Sequence, residues 1–196
     1  MQTLAQIAIY IISSLGSVYL TFVILRFLLQ LFRADYYNPI SKSIAKMTNP
    51  LLLPLRKVIP GFFGVDFAGI VLALLVQAVV IQVVCLIAGL GMLNPVALLA
   101  RSFLGVVGLV LTIYYWGILV IIIASWVAPN SAHPALTLLR DITEPVMAPI
   151  RRMLPSMGGL DLSPMIVIMT LHVLKNYLMP VLAQAVGLPG GLVFGV

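Results

Sequence analysis

The chain has 196 residues, of which 62% are hydrophobic and only 8% charged, with a mean hydropathy of +1.18. Soluble domains carry about 25% charged residues, so this chain is too poor in charge to cover a water-facing surface, and a soluble globular fold is excluded. Its net charge of +6 comes from 11 Lys and Arg that flank apolar runs; nucleic-acid binding would instead need a dense basic face with interleaved aromatics.

Four stretches meet the requirement of about 20 apolar residues for crossing a hydrocarbon core of about 30 Å. They are residues 4–32, 67–93, 103–127 and 162–186. No Lys/Arg-rich leader precedes the first, which outruns the apolar part of a signal peptide and is expected to be a retained span. A short turn at Asn94-Pro95 joins the second and third, and long segments, 33–66 and 128–161, separate the other pairs. Cys85, the single cysteine, lies inside an apolar run, so redox compartment is not readable from it.

The long segments copy each other. A shift of 95 residues lays Pro39 on Pro134, Thr48 on Thr143, Pro50 on Pro145, Pro54 on Pro149 and Arg56 on Arg151. The same shift lays Pro60 on Pro155, Gly64 on Gly159 and Asp66 on Asp161. Such internal repetition is the most specific signal in the chain. It divides the sequence into repeats 1–98 and 99–196. Each repeat holds two spans, so both insert in the same direction, unlike the inverted repeats of many transporters. The fold class expected is an all-α membrane protein: four transmembrane helices as two parallel two-helix repeats, each with a proline-broken amphipathic interfacial segment.

The two long segments must share one side of the membrane. They carry Arg33, Lys42, Lys46, Arg56, Lys57, Arg140, Arg151 and Arg152, against Arg101 in the turn opposite. The positive-inside rule then puts the segments in the cytoplasm and both termini in the periplasm of a bacterial inner membrane.

Within the interfacial segments, 38–60 and 133–155, apolar residues recur at helical spacing. Ile40, Ile44, Met47, Leu51, Leu55 and Val58 form one stripe, and Ala135, Leu139, Ile142, Val146, Ile150 and Met153 repeat it. A helix of this kind lies in the membrane surface with its apolar side down. Pro50 and Pro145 suit the first turn of a second helix, with Asn49 as N-cap in the first copy. Pro54 and Pro149 then bend that helix, so a short helix, a break and a bent helix are expected in each copy. Lys42, Lys46, Arg56 and Lys57 have no acid among them and suit anionic headgroups, each contributing about 1 kcal/mol near an anionic leaflet. Arg140, Arg151 and Arg152 are mixed with Asp141 and Glu144 and suit lipid or a protein partner.

Asp66 and Asp161 each precede a span, where a carboxylate caps a helix and complements its dipole; ion binding or partner recognition is the alternative role. Gln77 and His172 are equivalent under the 95-residue shift and lie roughly 16 Å beyond those aspartates at 1.5 Å per residue. That depth is near the midplane, where a Gln77–His172 hydrogen bond would glue the repeats together and His172 could titrate near neutral pH. Arg26, Gln30 and Arg33 share a face at the cytoplasmic end of the first span, close enough to snorkel to the surface. Lys175 is expected to snorkel towards the opposite side, and Gly105, Gly108 and Thr112 form a small-residue strip suited to close helix packing.

No metal-ligand spacing, P-loop, GxSxG turn or acidic pair occurs in the spans, and His133 and His172 sit at non-equivalent depths. Neither enzymatic activity nor a cofactor or metal is expected. The run Asn49-Pro50-Leu51-Leu52-Leu53-Pro54-Leu55-Arg56, followed by Pro60 and Gly64-Val65-Asp66, resembles the signature of the YggT family. The second copy, Glu144-Pro145 through Pro149-Ile150-Arg151 and Gly158-Gly159-Leu160-Asp161-Leu162-Ser163-Pro164, is closer still. The first copy departs where Phe63 replaces the first glycine and Ala68-Gly69 replaces Ser-Pro.

The resemblance implies an inner-membrane protein linked to osmotic stress tolerance and potassium homeostasis, to cell division, or, in plastid relatives, to haem attachment to cytochrome b6. The reading that follows is a non-enzymatic membrane-organising or assembly factor contributing to the osmotic stress response. Its candidate partners are the bilayer with anionic headgroups, a membrane protein and a second copy of the chain, with no nucleic acid. An oligomeric potassium or proton conductor, and a cell-division or cytochrome-assembly accessory factor, are the alternatives.

Overall fold

A computed structural model describes residues 2–62, 64–129, 131–154 and 161–185. In chain order its helices are α1 (Gln2–Leu31), α2 (Pro39–Val58), α3 (Phe67–Ile87), α4 (Pro95–Val127), α5 (Pro134–Met153) and α6 (Ser163–Ala185). The last contains a π turn at Leu174–Leu178. Helices α1, α3, α4 and α6 are long and apolar enough to cross a membrane, which makes the chain a multi-pass membrane protein. Phe63, Pro155, Gly158, Gly159, Leu160 and Val186, which figure in the sequence motifs and span limits, lie outside the described residues.

The spans pack in the order α1–α3–α4–α6, with α2 laid across α1 and α3, and α5 across α4 and α6. Leu20 and Ile24 of α1, Leu52 of α2, Ile118 of α4 and Ile142 of α5 meet in one core, each at most 2% exposed. Gly16 lets α1 approach α3 closely, since a Cβ there would run into Val80 Cγ2. Gly105 and Gly108 of the small-residue strip are buried on α4, and Thr112 Oγ1 donates to the Gly108 carbonyl at 2.9 Å.

Two span limits differ from the sequence reading, each for a local reason. α3 stops at Ile87 because Gly89, at φ 75°, reverses the chain. Leu90 N–H then bonds Cys85 O at 2.9 Å and Gly89 N–H bonds Leu86 O at 3.1 Å, a Schellman end. α4 starts at Pro95 rather than 103, because the Asn94 side chain accepts from Val96 N–H and Pro95 sits where a missing N–H costs nothing.

The prolines do not break the connecting helices. α2 and α5 are each continuous over 20 residues, with Pro50 and Pro54 inside one and Pro145 and Pro149 inside the other. Asn49 is therefore mid-helix and caps nothing. Proline at i frees the carbonyl at i−4, and Lys46, Pro50 and Pro54 all lie on the exposed side, where that carbonyl is not trapped in the core. The buried face of α2 is Ser41, Ile44, Ala45, Thr48 and Leu52, rotated roughly 80° from the expected stripe at 100° per residue. Met47, Leu51 and Val58 of that stripe are exposed. α2 thus has three sides: one packed on the spans, one apolar and open, one basic. Thr48 and its equivalent Thr143 are both fully buried and donate to the carbonyls of Ile44 (2.8 Å) and Leu139 (2.7 Å), so neither hydroxyl is orphaned.

Candidate functional site

The two connecting helices start side by side. Asn38 Oδ1 accepts from Ile40 N–H at 2.9 Å and caps α2, while its Nδ2 donates to Pro134 O at 2.9 Å, at the first turn of α5. His133, its equivalent in the second repeat, caps α5 by accepting from Ala135 N–H at 3.2 Å. Asx-type capping from a preceding Asn is a familiar device; a histidine in the same place is not one that the sequence announced.

The helices end in a duplicated ion pair. Arg56 Nη2 lies 2.6 Å from Asp66 Oδ2 and also donates to Gln30 Oε1, so the end of α1, the end of α2 and the start of α3 are tied together. Asp66 is only 5% exposed. It makes no side-chain cap bond to α3, which corrects the capping role expected for it: the arginine takes the carboxylate instead. In the second repeat Arg151 Nε lies 2.9 Å from Asp161 Oδ2 and Arg151 Nη1 lies 2.6 Å from Glu144 Oε1. Asp161 Oδ1 accepts from Ser163 N–H at 2.9 Å and from Ser163 Oγ–H at 2.5 Å, so here the aspartate does hold a helix start, from one residue outside the N-cap position.

Charge follows contact. Burial pushes the Asp161 carboxyl up, but the hydrogen bonds from Ser163 and the Arg151 guanidinium outweigh it and hold the group below its ordinary value of 3.8. The hydrogen bond to Glu144, joined by the one to Asp161, raises Arg151 above its ordinary value.

Beside the first ion pair lies a cleft of about 300 Å³ lined by Arg26, Gln30, Arg33, Tyr36, Ser41 and Arg56 over a floor that includes Leu29. The sequence had put Arg26, Gln30 and Arg33 on one face; Tyr36 and Ser41 were missed. A serine on the buried face of a connecting helix was the available signal for Ser41. Arg26 also stands over the Tyr36 ring, 5.7 Å from its centroid. The other basic candidates, Lys42, Lys46, Lys57, Arg140 and Arg152, are exposed and do not join this cleft; Lys42 Nζ stands 5.4 Å over the Tyr37 ring.

Gln77 and His172 are not brought together. Gln77 is buried on α3 at 4% exposure, whereas His172 is exposed on α6. His172 Nδ1 lies 3.0 Å from Asn176 Nδ2 one turn along the same helix, and its ring centroid is 6.4 Å from those of Tyr115 and Tyr177. The local amide satisfies the imidazole that the 95-residue equivalence had assigned to Gln77. Lys175 lies in the π turn, with Nζ 5.8 Å over the Tyr115 ring.

This architecture defines an all-α, four-span membrane protein made of two tandem copies of a span–connecting helix–span unit. The CCB3/YggT family model matches residues 5–87 and 100–182, two segments that begin the same 95 residues apart as the repeat. The chain belongs to the CCB3/YggT family. It is 44% identical over 183 residues to an uncharacterized protein of Pseudomonas aeruginosa, covering 93% of each chain. It is 38% identical over 173 residues to an uncharacterized protein of Vibrio alginolyticus, covering 87% of this chain and 91% of that one. With the uncharacterized protein YggT of Escherichia coli it shares 33% identity over 187 residues, covering 92% of this chain and 95% of the relative. No solved structure matches the chain.

Proposed function

We propose that this protein is a non-enzymatic organiser or assembly factor of the bacterial inner membrane. In this reading α2 and α5 form a platform in the cytoplasmic surface of the bilayer, the termini are periplasmic, and the setting is the osmotic stress response that the family resemblance implies. The observation that carries the reading is the fastening of the connecting helices. Their starts are joined by the Asn38–Pro134 bond, and each ends in an Arg–Asp pair to the next span. A helix held in this way presents a fixed surface, and what it presents outward is basic: Lys42, Lys46 and Lys57 from α2, Arg140 and Arg152 from α5. Exposed Met47, Leu51 and Leu53 lie among those of α2. Basic and apolar groups together suit the headgroup–acyl boundary of an anionic leaflet or the acidic, amphipathic surface of another membrane protein.

Photo-crosslinkers belong at Lys46 and Arg152, because Arg56 and Arg151 are engaged inside the fold. Crosslinking in native membranes should recover a defined membrane protein from both positions. Recovery of lipid alone from both would overturn the organising role. A conduction role finds less support, since the two midplane polar groups that would have lined a path, Gln77 and His172, face different surroundings.

A further inference from the structure

The basic cleft of the first repeat holds two polar atoms that the protein leaves unused. Ser41 is 3% exposed and its Oγ is buried without a hydrogen-bond partner; the Arg26 Nε is buried without one as well. Buried donors left unmade are costly, and in native folds each calls for an explanation. Both line the cleft between the ends of α1 and α2, together with Arg33, Arg56 and Tyr36. Three guanidinium groups and no carboxylate are among the described residues that line it, and Asp66 beside it is already held by Arg56 at 2.6 Å. Asp35, the other nearby acid in sequence, is turned to its own loop, accepting from Tyr37 N–H at 2.8 Å. The cleft therefore offers an excess of positive charge with a buried hydroxyl and a buried guanidinium N–H, the donor set that recognises a phosphate.

The neighbouring cavity decides what carries that phosphate. A second space, of about 210 Å³, is lined only by apolar residues, among them Leu25, Ile40, Ile44, Leu138 and Ile142. Leu29 lines both. A charged cleft and an apolar cavity sharing one wall, at the end of a membrane span, match an amphipathic molecule: a phosphate head with an acyl tail beside it.

We propose that Arg26, Arg33 and Ser41 bind the phosphate of one anionic phospholipid beside the Arg56–Asp66 pair, with its acyl chain laid along Leu29 towards the apolar cavity between α1, α2 and α5. Among the described residues the site occurs once. Under the 95-residue shift, Ile121, Ala128 and Leu136 stand where Arg26, Arg33 and Ser41 stand in the first repeat. The equivalent cleft there is lined by Ile121, Ile122, Ser125 and Trp126 beside Arg151, which its own acids occupy. The proposal rests on the reading above in one respect, that the end of α1 lies at the level of the headgroups.

The test is lipid retention by the purified full-length protein, transferred from nanodiscs of phosphatidylcholine alone or with phosphatidylglycerol and read by native mass spectrometry. One phosphatidylglycerol per chain should be retained in preference to phosphatidylcholine. Arg26→Gln and Ser41→Ala should each lower its retention about tenfold, the order expected for a hydrogen bond to a charged group. Ser41→Ala changes one buried atom, so it keeps the test decisive if Arg26→Gln fails to fold. Lys46→Gln, on the outward surface, should lower retention no more than about fivefold.

Equal retention of the two lipids, or equal losses for Ser41→Ala and Lys46→Gln, overturns the site. Displacement of the lipid by millimolar inorganic phosphate assigns the cleft to a soluble anion and overturns the lipid. If retention fails while Lys46 and Arg152 still crosslink to a membrane protein, the lipid site falls alone; if both fail, the platform falls with it.

Discussion

The two repeats share a frame and differ in what it encloses. Both run span, connecting helix, span; both bury the same threonine, Thr48 or Thr143; both end the connecting helix on an Arg–Asp pair. In the first repeat the pair is sunk, with side-chain exposures of 30% for Arg56 and 4% for Asp66, and Arg26 and Arg33 stand near it. In the second it is open, with 44% for Arg151 and 40% for Asp161, and a second acid, Glu144, saturates the arginine. Duplication preserved the fastening, and the chemistry around it diverged: one copy gathers spare positive charge, the other neutralises its own.

The comparison breaks or holds first at the ion pairs. Arg56→Ala strands the Asp66 carboxylate in a nearly water-free place, and breaking a buried pair from one side costs about 3 kcal/mol or more. Arg151→Ala separates groups that water already reaches, which costs about 1 kcal/mol or less. Thermal unfolding in bilayer nanodiscs should therefore show a clearly larger drop for the first variant. Equal drops would mean that the burial difference between the repeats has no energetic content. The double change Arg56→Ala with Asp66→Ala should recover part of the loss, since no charge is then left unpaired.

The starts of the connecting helices give a smaller contrast. Asn38 supplies both a cap and the bond to Pro134, so Asn38→Ala should cost about 1.5 kcal/mol. His133 supplies a cap alone, at 3.2 Å, so His133→Ala should cost about 0.5 kcal/mol. Melting curves of the two variants check the ordering, and a larger effect at His133 would reverse it.

How much of this the sequence announced follows from what kind of signal each feature leaves. Spans are long and uniform, so their existence was legible from hydropathy alone. Their limits were set by single residues with special geometry, Gly89 and Asn94, to which an apolar average is blind. The 95-residue shift found Arg56, Arg151, Asp66 and Asp161 as a set but did not pair arginine with aspartate, because the pairing crosses from a connecting helix to a span. The same shift misled at Gln77 and His172: equivalence in sequence places two residues at one depth and says nothing of which way each faces. Proline was read as a breaker because that is its cost in a buried helix; here the freed carbonyls lie on the exposed side. The basic cleft was half visible, as three polar residues at the end of α1, and was completed only when α2 brought Ser41 and Arg56 across it.

Arg33 offers a test of opposite sign. α1 and α3 end in the same hydrogen-bond pattern, with Ala34 N–H on Leu29 O at 2.9 Å matching Leu90 N–H on Cys85 O. Where α3 uses Gly89 for the left-handed residue, α1 uses Arg33, at φ 54°. A side chain there costs about 1 kcal/mol relative to glycine. Arg33→Gly should accordingly raise the stability of the protein in phosphatidylcholine by about that amount, while lowering phosphatidylglycerol retention. A variant that gained stability and kept its lipid would remove Arg33 from the binding site.

A further effect belongs to the open pair and concerns pH. Asp161 has a folded pKa below its ordinary 3.8, so its contribution to stability is fully present above that value and is lost as the pH falls through the lower, folded one. Arg151 is shifted upward, so its contribution is present below its ordinary value and is lost only at still higher pH. Only the acid side is therefore accessible to measurement. Asp161→Asn isolates the charge, because the Asn oxygen still accepts from Ser163 N–H and the start of α6 stays capped. Between pH 6 and pH 3 the wild-type protein should lose more stability than Asp161→Asn, and by no more than about 1 kcal/mol given the exposure of the pair. A larger difference would show that the second-repeat carboxylate is as enclosed as Asp66, and would erase the contrast between the two copies at the very groups that define it.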